Sequence, residues 1–302
     1  MSGSGLNLAI NAPAKINLHL TVKSKRNDGF HDIESIFLAL DYADTLVFEA
    51  GNKTLEIVMN SAGFLDIPVQ NNIIFRAVSL FMEKTGFLQC FKITVDKKIP
   101  VGGGLGGGSS DAASALIAIN KLSGGILNKD ALLELGASLG SDIPFFLHAH
   151  PAAFVTGRGE CIKVIPAPSF FIVLVNPGFP SDTASAYRLL DEYRINLSPV
   201  NSSIINGFEF FCENDWEEYF YNKDKWMFKN DFLAVFKKRE KLVYERIIAA
   251  LYENGAEYAS LSGAGSTCFG IFFQKERAKS AEKNLSGKWN LTKFTFCGEI
   301  FG

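Results

Sequence analysis

Three groups of residues have the types and spacing to do chemistry. The densest is Pro100-Val-Gly-Gly-Gly-Leu-Gly-Gly-Gly-Ser-Ser-Asp111, where six of the seven residues from Gly102 to Gly108 are glycine. Glycine at that density is a poor core material, because each loses more backbone freedom on folding than any other residue. It does permit positive φ angles and an approach to the backbone with no Cβ in the way. Helix-forming residues follow at once (Ala112, Ala113, Ala115, Leu116, Ile117, Ala118). A glycine loop at a helix start aims N–H groups and the positive end of the helix dipole at one spot, which suits a phosphate. Ser109 and Ser110 read as N-caps whose hydroxyls are also open to a phosphate or its metal ion. A flexible linker is the plain alternative. Against it, a strand-like Phe91-Lys-Ile-Thr-Val-Asp96 and an amphipathic helix abut the loop with no sequence to spare.

The loop lacks the Gly-Lys-Ser/Thr that closes a P-loop. Gly102, Gly104 and Gly107 satisfy G-x-G-x-x-G, but a run this rich in glycine matches almost automatically. Where a dinucleotide site wants an acidic residue about 20 positions on, Asn128-Lys129-Asp130 stands at a helix start. The reading is a phosphate loop and not a nicotinamide site. The other two groups are Lys15 in Pro13-Ala-Lys-Ile-Asn17 and Asp142 in Gly140-Ser-Asp-Ile-Pro144. On spacing alone, Lys15 is equally a solvated strand lysine, and Asp142 an N-cap ahead of Pro144. His148 and His150 form H-x-H with no third ligand nearby, which does not make a zinc site. Lys97 and Lys98 could add positive potential beside the loop; solvation at the surface is their expected role.

The elements that must position these groups are legible in outline. Alternation predicts strands at Leu6–Ile10, Ile16–Val22, Ile33–Leu40 and Thr45–Glu49, with Asp41-Tyr-Ala-Asp44 as a connection. A helix begins at Asn71-Asn72 and stops before Gly86; Ser110–Leu122 is the loop's helix; Asn128 caps a helix over Lys129–Leu139, with Gly140 suited to the C′ position. Ala153–Glu160 reads as strand and turn, Phe170–Val175 as a strand and Thr183–Tyr193 as a helix. Gly207–Phe236 carries many aromatics, read as core packing of helical segments, with a partner surface or part of the substrate wall as the alternatives. Asp231–Tyr252 is one long helix stopped by Gly255. A second glycine turn, Ala259–Gly270, lies between two strands, and a helix (Glu276–Leu285) and strand (Leu291–Cys297) close the chain.

The whole chain limits what it can be. Its 302 residues suffice for one large or two ordinary domains, with a boundary expected near Pro166-Ala-Pro168, giving domains of 1–165 and 166–302. Hydrophobic residues make up 47% and charged residues 21%, as in ordinary globular proteins. A net charge of −2 gives no bias toward nucleic acid or anionic membranes. Cys90, Cys161, Cys212, Cys268 and Cys297 are odd in number and never in C-x-x-C, so they read as free thiols of a reducing cytoplasm. The opening Met1-Ser-Gly-Ser-Gly-Leu6 lacks the basic and apolar parts of an export signal, and residues 1–5 read equally as native or added. The longest apolar runs are strand length.

Pro13-Ala-Lys-Ile-Asn17, Pro100–Ser110 and Leu261-Ser-Gly-Ala-Gly-Ser266, in that order over nearly the whole chain, resemble the three signature motifs of the GHMP small-molecule kinases. The resemblance implies an α+β, two-domain fold. A ribosomal-protein-S5-domain-2-like N-terminal half and a ferredoxin-like C-terminal half would have the site in the cleft between them. Pro13–Leu20, Asn27-Asp-Gly-Phe-His31, Asp41-Tyr-Ala-Asp44 and Gly140–Pro144 narrow it. They are similar to the branch that moves the γ-phosphate of ATP onto the 2-hydroxyl of 4-diphosphocytidyl-2-C-methyl-D-erythritol, in the non-mevalonate route to isoprenoid precursors.

Carried over from the family, Lys15 and Asp142 are the catalytic pair. Pro100, Val101, Gly102, Gly103, Gly104, Leu105, Gly106, Gly107, Gly108, Ser109 and Ser110 form the ATP phosphate loop, and Asn72 and Ile73 meet adenine. Asn17 and His31 bind substrate, Phe30 and Tyr187 wall the cytosine ring, and Thr183 comes from the helix that carries Tyr187. Phe30 stands where the family often has Tyr, so stacking survives without a hydroxyl. Leu197–Lys229 fits the family pattern poorly, and no role is assigned there. The implied cofactors are ATP and Mg²⁺, with Ser110 the one candidate metal ligand. A small-molecule substrate, no nucleic acid, no membrane and a monomer or weak homodimer complete the expectation. The rivals are another GHMP kinase (for homoserine, mevalonate or a sugar), a non-catalytic ATP-binding relative and an NAD-binding dehydrogenase.

Overall fold

A computed structural model describes residues 7–51, 54–60, 68–196 and 216–298. The opening residues, Cys212 and the part of the aromatic stretch over 207–215 lie outside the described residues. The chain divides into two compact units that interleave along the sequence. One takes residues 1–14, 42–101 and 106–150; the other takes 15–41, 102–105 and 151–302.

Two long strands supply residues to both units: β1 (Asn7–Lys25) and β2 (His31–Ala50), which pair with each other. Each was expected as two strands. Pro13, which cannot donate a ladder hydrogen bond, and the polar Asp41–Asp44 read as breaks, yet the pleat runs through both. In the first unit, Thr45–Ala50 of β2 pair antiparallel with β4 (Phe91–Asp96), and β4 pairs parallel with β3 (Glu56–Met59), a short strand the sequence did not announce. Phe91, Ile93 and Val95 are buried, as strand alternation requires.

Among the described residues, four α-helices complete that unit: α1 (Ile73–Thr85), α2 (Gly107–Leu122), α3 (Lys129–Leu139) and α4 (Ile143–His148). Helix α1 buries Ile74, Ala77, Val78 and Phe81, the spacing of one helical face, and ends at Gly86 with φ 70°. Helix α2 packs on α1 and α4, and its Ala112, Ala113, Ala115 and Ala118 are fully buried. It begins at Gly107, earlier than expected, so Ser109 and Ser110 lie within its first turns and Gly106 holds the N-cap place. Asn128 caps α3 as expected, accepting from the N–H of Ala131 at 2.9 Å. Gly140 after it is extended (φ 178°), not left-handed.

In the second unit, Ser35–Leu38 of β2 pair antiparallel with β5 (Ala152–Thr156), which pairs with β6 (Cys161–Val164). A separate antiparallel sheet has the order β10 (Leu291–Cys297), β7 (Phe170–Asn176), β9 (Cys268–Phe272), β8 (Tyr258–Leu261). Helices α5 (Thr183–Ile195) and α6 (Trp216–Tyr221) follow β7; α7 (Lys238–Glu253) precedes β8, and α8 (Lys275–Leu285) precedes β10. With α5 and α6 set aside as insertions, the order is β-α-β-β-α-β, the ferredoxin-like arrangement. Tyr244, Ile247 and Leu251 of α7 and Ala278, Ala281 and Leu285 of α8 bury themselves with Val173, Val175 and Phe272 of the sheet. The long helix expected over Asp231–Tyr252 is two pieces, a 3-10 turn at Asp231–Ala234 and then α7. Of the aromatic stretch, Trp216, Tyr219, Phe220, Phe228 and Phe232 are buried as core packing requires, while Tyr221 is 50% exposed. Cys90, Cys161, Cys268 and Cys297 are free thiols. No helix among the described residues is long and apolar enough to cross a membrane.

Candidate active site

In the second unit, alternation along β1 puts Lys15, Asn17, His19 and Thr21 on one face, and all four are buried. The Lys15 ammonium donates to Asn17 Oδ1 at 2.6 Å and lies 4.2 Å from the centre of the Phe37 ring. Lys15 is 4% exposed, which overturns its reading as a solvated lysine. Asn17 Nδ2 donates to Ser35 Oγ at 2.9 Å, so the amide that holds the ammonium is itself held. His19 Nδ1 accepts from the Lys229 N–H at 3.2 Å, which leaves its Nε2–H to donate to Thr21 Oγ1 at 2.9 Å. Burial, helped by the Lys229 charge, lowers the His19 pKa to about 3, so the ring stays neutral.

The middle of the glycine loop belongs to the same unit, and its carbonyls are used up in sequence. The Gly102 carbonyl accepts from the Ser181 N–H at 2.9 Å, Gly103 from the Thr267 N–H at 3.0 Å and Gly104 from Ser262 Oγ at 2.8 Å. The Leu105 carbonyl accepts from the N–H of Lys15 at 2.9 Å. All three sequence patches therefore meet here: the lysine strand, the loop and the second glycine turn. Asn230 braces that turn, donating from Nδ2 to the carbonyls of Leu261 and Gly263, both at 2.8 Å. Gly104 has φ 75°, and a Cβ there would fall 2.1 Å from the Ser262 carbonyl oxygen. Gly104→Ala is expected to cost more than about 2 kcal/mol of stability. A melting experiment with and without ATP checks it, and an unchanged melting temperature would show that the loop is not held this tightly.

The same unit carries the expected base-binding residues. His31 Nε2 lies 2.7 Å from Asp191 Oδ1, and its ring stacks on Tyr187 with centroids 5.1 Å apart at 23°. Tyr187 meets Phe232 edge-on at 5.0 Å. Burial would raise the Asp191 pKa, but hydrogen bonds from His31 and Lys25 bring it below the usual carboxylate range. Phe30 is 53% exposed, with the Arg158 guanidinium 5.0 Å over its ring. Thr183 opens α5, whose N-cap Asp182 accepts from the Ala184 N–H at 3.1 Å.

In the first unit, Gly106–Ser110 form the start of α2; the N–H groups of Gly107, Gly108 and Ser109 precede the first intrahelical bond, which runs from the Ser110 N–H to the Gly106 carbonyl at 2.9 Å. Pro100 and Val101 lead into the loop on this side. Asn72 caps α1, its Oδ1 accepting from the Ile74 N–H at 2.9 Å. Ile73 Cγ2 would lie 3.9 Å from a Cβ on Gly108, so the two residues expected around adenine adjoin the helix start. Asp142 precedes α4 but makes no side-chain cap hydrogen bond, which weakens the capping explanation for its presence. Ser110 Oγ is buried with no hydrogen-bond partner among the described residues. A hard oxygen so placed fits Mg²⁺.

Sequence reasoning missed one cluster. Lys97, expected at the surface, is 8% exposed, and its ammonium donates to Asp44 and to Asp111 Oδ2, the latter at 2.7 Å. Burial pushes the Asp111 carboxyl up to about 7, with the Asp44 charge adding to the rise and the Lys97 ammonium opposing it. The signal was present: Phe91, Ile93 and Val95 point inward, and position 97 continues that parity. Lys98, of opposite parity, is at the surface beside Asp96 at 3.4 Å, as expected.

Comparison with known proteins bears on both units. The model of the GHMP kinases N terminal domain matches residues 72–150, and that of the GHMP kinases C terminal domain matches 225–291. A 4-diphosphocytidyl-2-C-methyl-D-erythritol kinase of Thermodesulfovibrio yellowstonii is 37% identical over 288 residues, 93% of this chain and 95% of that protein. The chloroplastic kinase of the same name from Arabidopsis thaliana is 36% identical, over 87% of this chain and 67% of that protein. A crystal structure of a 4-(cytidine 5'-diphospho)-2C-methyl-D-erythritol kinase matches with a TM-score of 0.77 at 28% identity, covering 96% of this chain and 99% of that one. Homoserine kinase from Cytophaga hutchinsonii matches with a TM-score of 0.73 at 16% identity, a likeness of fold alone.

Proposed function

Because the chain belongs to the GHMP kinase family, and within it to the 4-diphosphocytidyl-2-C-methyl-D-erythritol kinases, we propose that it moves the γ-phosphate of ATP onto the 2-hydroxyl of that cytidine-linked alcohol. The product feeds isoprenoid precursor synthesis by the non-mevalonate route. The observation that best supports a catalytic role here is the buried Lys15. Its ammonium is aimed by Asn17, on a strand whose main chain is bonded to the glycine loop at Leu105.

Phosphoryl transfer needs mostly alignment and charge stabilisation. The N–H groups from Gly102 to Ser109 hold the phosphates, that of Ser110 being bonded to the Gly106 carbonyl, and Ile73 with Asn72 borders the adenine. Lys15 neutralises charge on the moving phosphoryl group, and its tie to Asn17 keeps the ammonium from swinging away. Asp142, ionised, accepts the proton of the attacking hydroxyl. Ser110 is the residue that would hold Mg²⁺, which would supply charge screening for the phosphates. On the substrate side, Nε2 of His31 is engaged by Asp191, so the cytosine edge is read by His31 Nδ1 or its main chain. Tyr187 and Phe30 give the base apolar faces, which tolerate any base. An unmatched hydrogen-bonding edge costs about 1–3 kcal/mol per group, enough to prefer cytosine over uracil.

A phosphorylation assay of the wild-type protein on 4-diphosphocytidyl-2-C-methyl-D-erythritol, homoserine and mevalonate tests this. Turnover is expected on the first alone. Turnover on one of the others, and not on the first, would move the protein to another branch of the family.

A further inference from the structure

The Asp44, Lys97 and Asp111 cluster has no part in the chemistry above, and its placement gives it one. We propose that Lys97 is a positioning residue for ATP: with Asp44 and Asp111 it ties together the two arms of the phosphate loop. Lys97 stands on the incoming arm, just before Pro100, and Asp111 on α2, the outgoing arm. One Asp44 oxygen takes the Lys97 ammonium, and the other accepts the N–H groups of Lys98 and Ile99, the latter at 2.8 Å. Asp111 Oδ2 receives the same ammonium at 2.7 Å. The arms touch at Gly107, where a Cβ would come within 2.9 Å of Ile99 Cγ2 and 3.0 Å of Lys97 Nζ.

Charge and burial separate this role from two plainer ones. All three groups are under 9% exposed (Asp44 0%, Lys97 8%, Asp111 3%), and burying charges costs about what their attraction returns. Apolar side chains would stabilise the fold as well, so bulk stability is a weak reason for the cluster. Nor is it a source of positive field for the phosphates, since two carboxylates face one ammonium. What it fixes is direction. The N–H groups of an anion site work only when they converge, and their convergence depends on how the two arms are held.

The inference rests on the ATP-dependent reading above. Lys97→Met is expected to raise KM for ATP about tenfold, the scale of a small misplacement, with KM for the alcohol substrate unchanged. ADP binding by calorimetry should weaken in parallel, independent of turnover. Asp111→Asn keeps the shape and an acceptor for Lys97 but weakens the tie, so ATP KM should rise about threefold. A field effect would instead lower it, because a negative charge is gone. The inference is overturned if Lys97→Met leaves ATP KM alone or raises both KM values alike, or if Asp111→Asn tightens ATP. Should Lys97→Met not fold, Asp111→Asn decides. Wild-type protein that binds no ATP would remove the kinase reading and this inference with it; unaltered variant-to-wild-type ratios remove the inference only.

Discussion

Asp142→Asn is expected to lower kcat about 10²- to 10⁴-fold, the usual contribution of a positioned general base, while KM for ATP and the melting temperature stay near wild type. The carboxamide keeps the size and shape of the side chain but cannot take a proton from an alcohol. The variant also separates two explanations of why an aspartate precedes α4. Asn is as good an N-cap as Asp, so a capping role predicts full activity. The structure already weakens that role, since no helix N–H is bound by the Asp142 carboxylate. Steady-state kinetics beside a thermal melt give the answer. A kcat within about threefold of wild type, far short of a removed base, would send the search for the proton acceptor elsewhere.

Lys15→Met is expected to lower kcat about 10²- to 10³-fold, the scale of removing one preorganised electrostatic contact from a developing charge. Methionine retains packing against Phe37, where the ammonium now lies 4.2 Å from the ring centre. The change leaves Asn17 Oδ1 without its 2.6 Å donor. A cost of about 1–3 kcal/mol follows from that unmet acceptor, and the melting temperature should fall modestly. Kinetics taken well below the melt separate the two effects. If kcat is preserved while stability drops, Lys15 is a structural lysine, and the proposed chemistry loses its cation.

A good part of the molecule can be read without coordinates, and the parts that cannot share a cause. Helix α1 is legible from Asn72 to Gly86, because a cap, an apolar face and a left-handed glycine are settled by residues within a few positions. Helix α3, through its Asn128 cap, and strand β10 are likewise legible from neighbouring residues. The loop and the flanking patches that carry the family likeness are also local, being runs of particular residues in order. By themselves they led to an α+β kinase fold, now matched over both family domains.

Tertiary structure alone decided continuity and burial. Pro13 and Asp44 argue locally for breaks, but β1 and β2 run through both, and a charge sits inside a strand where a partner elsewhere in the chain meets it. Asp44 is the clearest case: its charge is met by Lys97, 53 positions away. Asn17 likewise finds Ser262 at a separation of 245, with its N–H 3.3 Å from Ser262 Oγ. A lysine's charge is costly or cheap to bury depending on which carboxylates the fold brings to it. Strand parity turns position 97 inward, but no window of neighbouring residues shows that Asp44 and Asp111 wait there to meet the charge, so Lys97 looked solvated.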